Sequence, residues 1–328
     1  MEKEPGMENM ENIKGKNILV TGGTGFVGSH LVKALVKKGA TVFVPYRSID
    51  PRSYFYTKKL NNKVVLLSCD LKDRDRVFDI VSKYEITYIF HLAAQAIVPT
   101  AYENPVETIE SNVMGTTYVL EAARRFSHVK GVIAASSDKS YGKSAKPYVE
   151  TNPLKGDHPY DVSKASTDLI AQAYAKTYNL PIVITRFGNI YGEGDLNFSR
   201  IIPGIMKAII NKETLEIRSN GKFIRDYLYV KDVINGYMLL AQHIEKVKGE
   251  AFNFGSKETL SVLEVIELME KILKKEIKYK ILNTAKNEIP YQSLDYTKIH
   301  NLLGWKPTNS IQTTAKKILK WYYMNNHP

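Results

Sequence analysis

An apolar stretch, KNILVT, runs directly into GGTGFVG and then into the amphipathic SHLVKALVKKG. Gly22, Gly25 and Gly28 therefore stand at the spacing G-x-x-G-x-x-G between a predicted strand and a predicted helix. Glycines in that position let the backbone turn tightly and come close to a pyrophosphate, which the helix N-terminus then faces. Backbone at Gly22, Thr24, Gly25, Phe26 and Val27 is expected to lie against a dinucleotide. The strand before and the helix after the turn separate this reading from a glycine-rich turn that binds nothing.

The rest of the first half continues the alternation. TVFVPYR, VVLLSCDL, TYIFHLAAQ, GVIAASS and LPIVITRF read as strands, and DRDRVFDIVSKY, PVETIESNVMGTTYVLEAARRF and Tyr160–Tyr178 read as helices between them. Near-continuous apolar strands alternating with amphipathic helices predict a doubly wound parallel sheet, a Rossmann-type α/β fold. The second strand ends in Tyr46-Arg47, where an acid would take the ribose 2′-hydroxyl and an arginine would accommodate a 2′-phosphate. That tilts the NAD(P) expectation slightly towards NADP, with Asp50 near enough to leave NAD open. Asp70 and Leu71 follow the third strand, where Asp70 either meets the adenine or simply starts a helix. Leu92, Ala93 and Ala94 form a turn small enough for a cofactor to lie against.

After about Asn189 the elements become short and mixed, which predicts a smaller C-terminal α/β substrate lobe. The expected division is a tail over 1–14, a dinucleotide domain over 15–188 to which 230–254 returns, and a lobe from 189–229 and 255–328. Ser136–Lys139 emerges at the end of a strand, where ligands of open parallel sheets gather. Tyr160 and Lys164 are four apart and share one helix face. An ammonium there can favour a neighbouring phenolate, lowering a pKa that starts at about 10. Such a phenol is a base for a sugar or alcohol hydroxyl.

Composition narrows the partners. The formal charge is +12, from 46 basic and 34 acidic residues, but the lysines are mixed with glutamates, as in EVIELMEKILKKEIKYK. That pattern is a solvated surface and not a nucleic-acid face, although a phosphate-bearing ligand benefits from the field. No run approaches the ~18 apolar residues of a membrane span. Cys69 is the only cysteine and the first residues are polar. No intrachain disulfide, no signal peptide and a cytoplasmic location are expected.

The series TGGTGFVG, HLAAQ, SSDKSYG, YDVSK, TRFGNIYG, RDYLYV and LGWKP resembles the extended short-chain dehydrogenase/reductase family, within it the nucleotide-sugar 4,6-dehydratases and 4-epimerases. The resemblance implies that Tyr160 deprotonates a sugar 4-hydroxyl while hydride moves from C4 to the nicotinamide. Lys164 would hold the nicotinamide ribose, and Ser137 would hydrogen-bond the 4-oxygen. Dehydratases of the group carry a carboxylate after that serine to protonate the leaving 6-hydroxyl and a base to take the C5 proton. Asp138 and Lys139 stand there, the pairing of dehydratases resembling the CDP-glucose type; if Lys139 merely pairs with Asp138, a 4-epimerase remains. Asn189 is implied beside the sugar and Arg225 on the pyrophosphate, unless Arg225 only pairs with Asp226. Gln95, Arg200 and Arg218 are further substrate contacts implied in this way. No metal is expected, and a homodimer through helices near 104–126 and 160–178 is. Pro290 and Tyr291 depart from the family's usual signature. A non-catalytic dinucleotide sensor is the rival class, and the retained Tyr160/Lys164 pair argues against it.

Overall fold

The computed structural model describes residues 13–284 and 289–325. Most of the expected tail lies outside them, but Ile13 is buried in the core. Six parallel strands follow: β1 (Asn17–Thr21), β2 (Thr41–Tyr46), β3 (Val65–Ser68), β4 (Tyr88–His91), β5 (Gly131–Ala135) and β6 (Ile182–Phe187). They lie in the order β3-β2-β1-β4-β5-β6, and the strand Ala251–Phe254 adds in parallel to the edge of β6. Helices cover both faces, so the strands carry apolar side chains on both: Ile18 and Val20 face one layer, Leu19 and Ile89 the other.

On one face α1 (Phe26–Lys37) packs with the helix Val230–Gln242, through Leu31, Leu35, Val233 and Leu240. On the other, α2 (Arg74–Lys83), α3 (Gly115–Arg125) and α4 (Pro159–Tyr178) bury Val77, Val119, Leu120 and Ala171. The fold is thus the expected Rossmann-type sheet. Strand order reverses between β1 and β4, which opens a crevice at their carboxyl ends.

One expected element differs. The stretch read as a single helix from Pro105 is helical over Pro105–Ile109, widens into a π-turn over Glu110–Met114 and resumes as α3. The widened turn aims Asn112 inward. Its Oδ1 accepts from Gln95 N at 2.7 Å, and its Nδ2 donates to Ser163 Oγ of α4 at 2.9 Å. A π-turn costs regular hydrogen bonding and here ties the β4 loop to the Tyr160 helix.

The smaller C-terminal region is built on the central strand Ile224–Tyr229. Asn189–Tyr191 and Tyr291–Gln292 pair with it in parallel, and Thr259–Ser261 in antiparallel. Helices Ile201–Asn211, Val262–Leu273 and Ile311–Met324 bury Ile205, Met206, Val265, Met269, Ile318 and Leu319 in a core of their own. Capping boxes at Ser261 and Ser310 start the last two helices.

Candidate active site

The glycine turn is built as its spacing requires. Gly22 adopts φ +69°, and a Cβ there would lie 2.8 Å from Ala93 N. A Cβ on Gly28 would lie 2.1 Å from the Gly22 carbonyl oxygen, so only glycine fits where α1 meets the turn. Thr21 Oγ1 accepts from Leu92 N at 3.1 Å and Ala93 N at 3.2 Å, which docks the Leu92–Ala94 turn on the glycine turn. Gly25 caps α1 with no side-chain bond, leaving that N-terminus open beside Thr24, Phe26 and Val27. The cradle suits a dinucleotide pyrophosphate. When bound, such a cofactor supplies hydride transfer.

At the far end of the crevice Arg47 donates to Glu107 at 2.7 Å, and Lys72 donates to the other oxygen of Glu107 at 2.7 Å. Those bonds, from Lys72 foremost, hold the Glu107 carboxyl down at about 2. Asp70 accepts from Lys72 N at 3.0 Å, a turn contact, and Leu71 packs against Gly115.

The stretch Ser137–Lys139, expected to be catalytic, lies at the end of β5. Ser137 caps a short 3-10 turn, Asp138–Tyr141; its Oγ accepts from Lys139 N at 3.2 Å and donates to Asp138 Oδ1 at 3.0 Å. Asp138 is 4% exposed, and burial raises its pKa, with Lys139, Ser137 and Arg225 opposing. The neutral, proton-bearing form is thereby favoured. Tyr160 and Lys164 are both buried on one face of α4. Lys164 Nζ donates to Ala135 O at 2.5 Å, which pins α4 to the end of β5. Burial lowers Lys164 to about 8, with Asp168 opposing.

Tyr160 departs from expectation. Burial, reinforced by Asp138, pushes its phenol up to about 12, while a hydrogen bond with Ser137 and the charge of Arg200 pull the other way. In the chain alone desolvation outweighs the Ser137 hydrogen bond and the Arg200 charge.

The residues expected to meet substrate divide. Asn189 Nδ2 is buried without a partner, an unspent donor. Arg200 pairs with Asp195 at 3.1 Å and is close enough to Tyr160 to bias its ionisation. Arg225 exerts its charge on Asp138, while Asp226 is occupied by Thr259 Oγ1 and Leu294 N, each at 2.7 Å. Gln95 folds back, its amide bonded to both N and O of Ile97. Arg218 is exposed beyond the strand Leu215–Ile217. Gln292, which sequence reasoning missed, donates to Asp138 Oδ2 at 3.0 Å and accepts from Lys139 Nζ at 3.2 Å. Among the described residues there is no cluster of potential metal ligands and no helix long and apolar enough to cross a membrane.

Known proteins share this fold. The profile of the GDP-mannose 4,6-dehydratase family matches residues 19–318. CDP-glucose 4,6-dehydratase from Salmonella typhimurium is 31% identical, over 94% of this chain and 91% of its own. The crystal structure of UDP-glucose 4-epimerase from Thermotoga maritima, with UDP-glucose, is 30% identical with a TM-score of 0.85, covering 95% of this chain and 100% of that one. UDP-glucuronic acid 4-epimerase from Bacillus cereus, in complex with UDP-glucuronic acid and NAD, is 27% identical with a TM-score of 0.86, over 94% and 99% of the two chains.

Proposed function

Since the chain belongs to the GDP-mannose 4,6-dehydratase family of NAD(P)-dependent nucleotide-sugar enzymes, we propose that it is a nucleoside-diphosphate-hexose 4,6-dehydratase. Tyr160 takes the proton of the sugar 4-hydroxyl as the C4 hydride leaves, and Ser137 holds the 4-oxygen. The resulting ketone acidifies the C5 proton. Lys139 accepts that proton, the C5–H electron pair becomes the C5–C6 double bond, and Asp138 protonates the departing 6-hydroxyl as water. A bound dinucleotide would return its hydride to C6, Lys139 returns its proton to C5, and the proton held by Tyr160 passes through solvent to Asp138, so that every group ends as it began.

The observation that carries this reading is the buried carboxyl of Asp138 beside Ser137, with burial pushing its pKa upward. Elimination needs an acid there, and inversion at C4 does not. Asp138→Asn should slow water loss by about 10²–10⁴-fold while C4 oxidation persists, so that reduced nicotinamide accumulates. Full dehydratase turnover in that variant would remove the acid role.

A second reading is a 4-epimerase, and the solved relatives favour it over dehydration: both of those described above are 4-epimerases. Incubation with CDP-, dTDP-, UDP- and GDP-hexoses separates the two. A product lighter by one water supports dehydration; an unchanged mass with inverted C4 supports epimerisation.

For the cofactor, the Arg47 expectation is reversed in our reading, and NAD is the resident dinucleotide. Both cations that a 2′-phosphate would use are neutralised by Glu107. Glu107→Gln should improve NADPH binding relative to NADH by about tenfold, read by fluorescence titration. An unchanged ratio would place the discrimination elsewhere.

We also propose a homodimer. Val106, Ile109 and Met114 at and before the π-turn, with Val162 and Leu169 on α4, leave large apolar side chains exposed on the two helices expected to pair. Leu169→Asp should then lower the mass measured by light scattering to that of one chain. A wild-type chain already monomeric would refute the proposal.

A further inference from the structure

Asp138 and Lys139 adjoin in sequence, yet what joins their charged ends comes from the opposite end of the chain. Gln292 is fully buried. Its Nε2 donates to Asp138 Oδ2 at 3.0 Å and its Oε1 accepts from Lys139 Nζ at 3.2 Å. We infer that Gln292 is a positioning residue, which holds Asp138 and Lys139 as an acid–base pair through the two ends of one amide. The inference rests on the dehydratase reading.

The chemistry of the three groups fixes the amide's direction. Once the proton has been handed over, the carboxylate of Asp138 only accepts and so takes Nε2, and the ammonium of Lys139 only donates and so takes Oε1. The surrounding backbone cannot readily shift. Gln292 sits in register with Arg225 of the central strand, and Ser293 O accepts from Tyr148 N at 2.8 Å. Leu294 N is held by Asp226 Oδ2 at 2.7 Å, and Asp295 N by Tyr148 O at 2.9 Å. On the other side, Ser137 donates to Asp138 Oδ1 at 3.0 Å in the free chain; its one proton turns to the sugar 4-oxygen during the reaction, which leaves Gln292 to orient the carboxyl.

This arrangement is matched to the elimination. The step needs the pair's one proton on Asp138 and the lone pair of Lys139 free to accept. During it Lys139 gains the C5 proton and Asp138 gives its own to the leaving hydroxyl. The pair becomes a carboxylate and an ammonium. The positive end of the Gln292 amide already faces the developing carboxylate, and its negative end faces the developing ammonium. A fixed dipole of that sense lowers the barrier to charge separation without reorganising during the reaction. C4 oxidation separates no charge between these two residues, so Gln292 acts on water loss alone.

The test uses the full chain with bound dinucleotide and CDP-, dTDP-, UDP- and GDP-glucose in parallel. Gln292→Leu keeps the bulk and removes both bonds. It should slow water loss by about 10–100-fold, the usual effect of losing a residue that orients a reacting group. The rate at which reduced nicotinamide first forms should stay within about twofold. Gln292→Glu, which retains hydrogen bonding, places a carboxylate against Asp138 and should slow the same step, which guards against a folding defect in the leucine variant. Unchanged water loss in both variants, or an equal fall in oxidation and water loss, would overturn the inference. Wild-type protein that releases no water from any of the four sugars would instead overturn the dehydratase reading, and the inference with it.

Discussion

Replacing Tyr160 with phenylalanine should reduce C4 oxidation by about 10²–10⁴-fold, the range supplied by a positioned general base, with dinucleotide binding little changed. The substitution removes one oxygen and keeps the ring that fills the buried site on α4. The measurement is the appearance of reduced nicotinamide on mixing with a nucleoside-diphosphate glucose. In the wild type that rate should climb with pH, because burial holds the phenol up at about 12 and the basic form is scarce at neutrality. A bound oxidised nicotinamide would bring a positive charge that favours the phenolate and moves the climb to lower pH. The phenylalanine variant should show no such pH dependence. If it keeps more than about a tenth of the wild-type rate, the base is another group. Lys164 enters differently from the simple expectation of a cation depressing a phenol. Its Nζ is fastened to Ala135 O, so it locks α4 against β5 and sets where Tyr160 stands.

What could be read from the sequence was local. The turn Gly22–Gly28 is legible because nothing but glycine fits a carbonyl 2.1 Å from its Cβ. Tyr160 and Lys164 are legible because four residues on a helix bring two side chains to one face. The parallel sheet follows from apolar runs such as Ile18–Val20, which need cover on both sides. Features set by distant partners were not legible. Gln292 lies 154 residues from Asp138, and one glutamine in a two-residue strand has no periodicity to mark it. The π-turn at Glu110–Met114 is invisible in an amphipathic pattern, because the extra residue serves Asn112's bonds to Gln95 and Ser163. Gln95 was expected on the sugar, yet its amide closes a turn on Ile97. Glu107 changed the reading of Arg47 from 60 residues away.

Breaking the buried pair of Arg186 and Asp168 should cost about 3–5 kcal/mol of stability, the usual penalty for stranding one charge of a desolvated pair. Arg186 Nε and Nη2 donate to the two oxygens of Asp168, each at 2.8 Å, with side chains 2% and 0% exposed. Nη1 reaches Tyr141 Oη at 2.6 Å, and Tyr141 donates on to Asn253 Oδ1 at 2.7 Å. One guanidinium of β6 thus fastens α4, the turn that ends at Tyr141 and the edge strand Ala251–Phe254. Arg186→Met leaves the Asp168 carboxylate without its cation and should show the full loss in urea unfolding. Arg186→Met combined with Asp168→Leu removes both charges and should recover much of it, because an apolar pair avoids the desolvation that the ion pair had to overcome. A double variant as unstable as the sum of the singles would mean that shape, not charge, is what the site requires. Asp168→Asn should also reach the proposed catalytic site. Asp168 opposes the burial that lowers Lys164 to about 8, so losing its charge should lower Lys164 further. Lys164 would then lose its proton at a lower pH, and the lock between α4 and β5 that positions Tyr160 would weaken before the fold itself gives way.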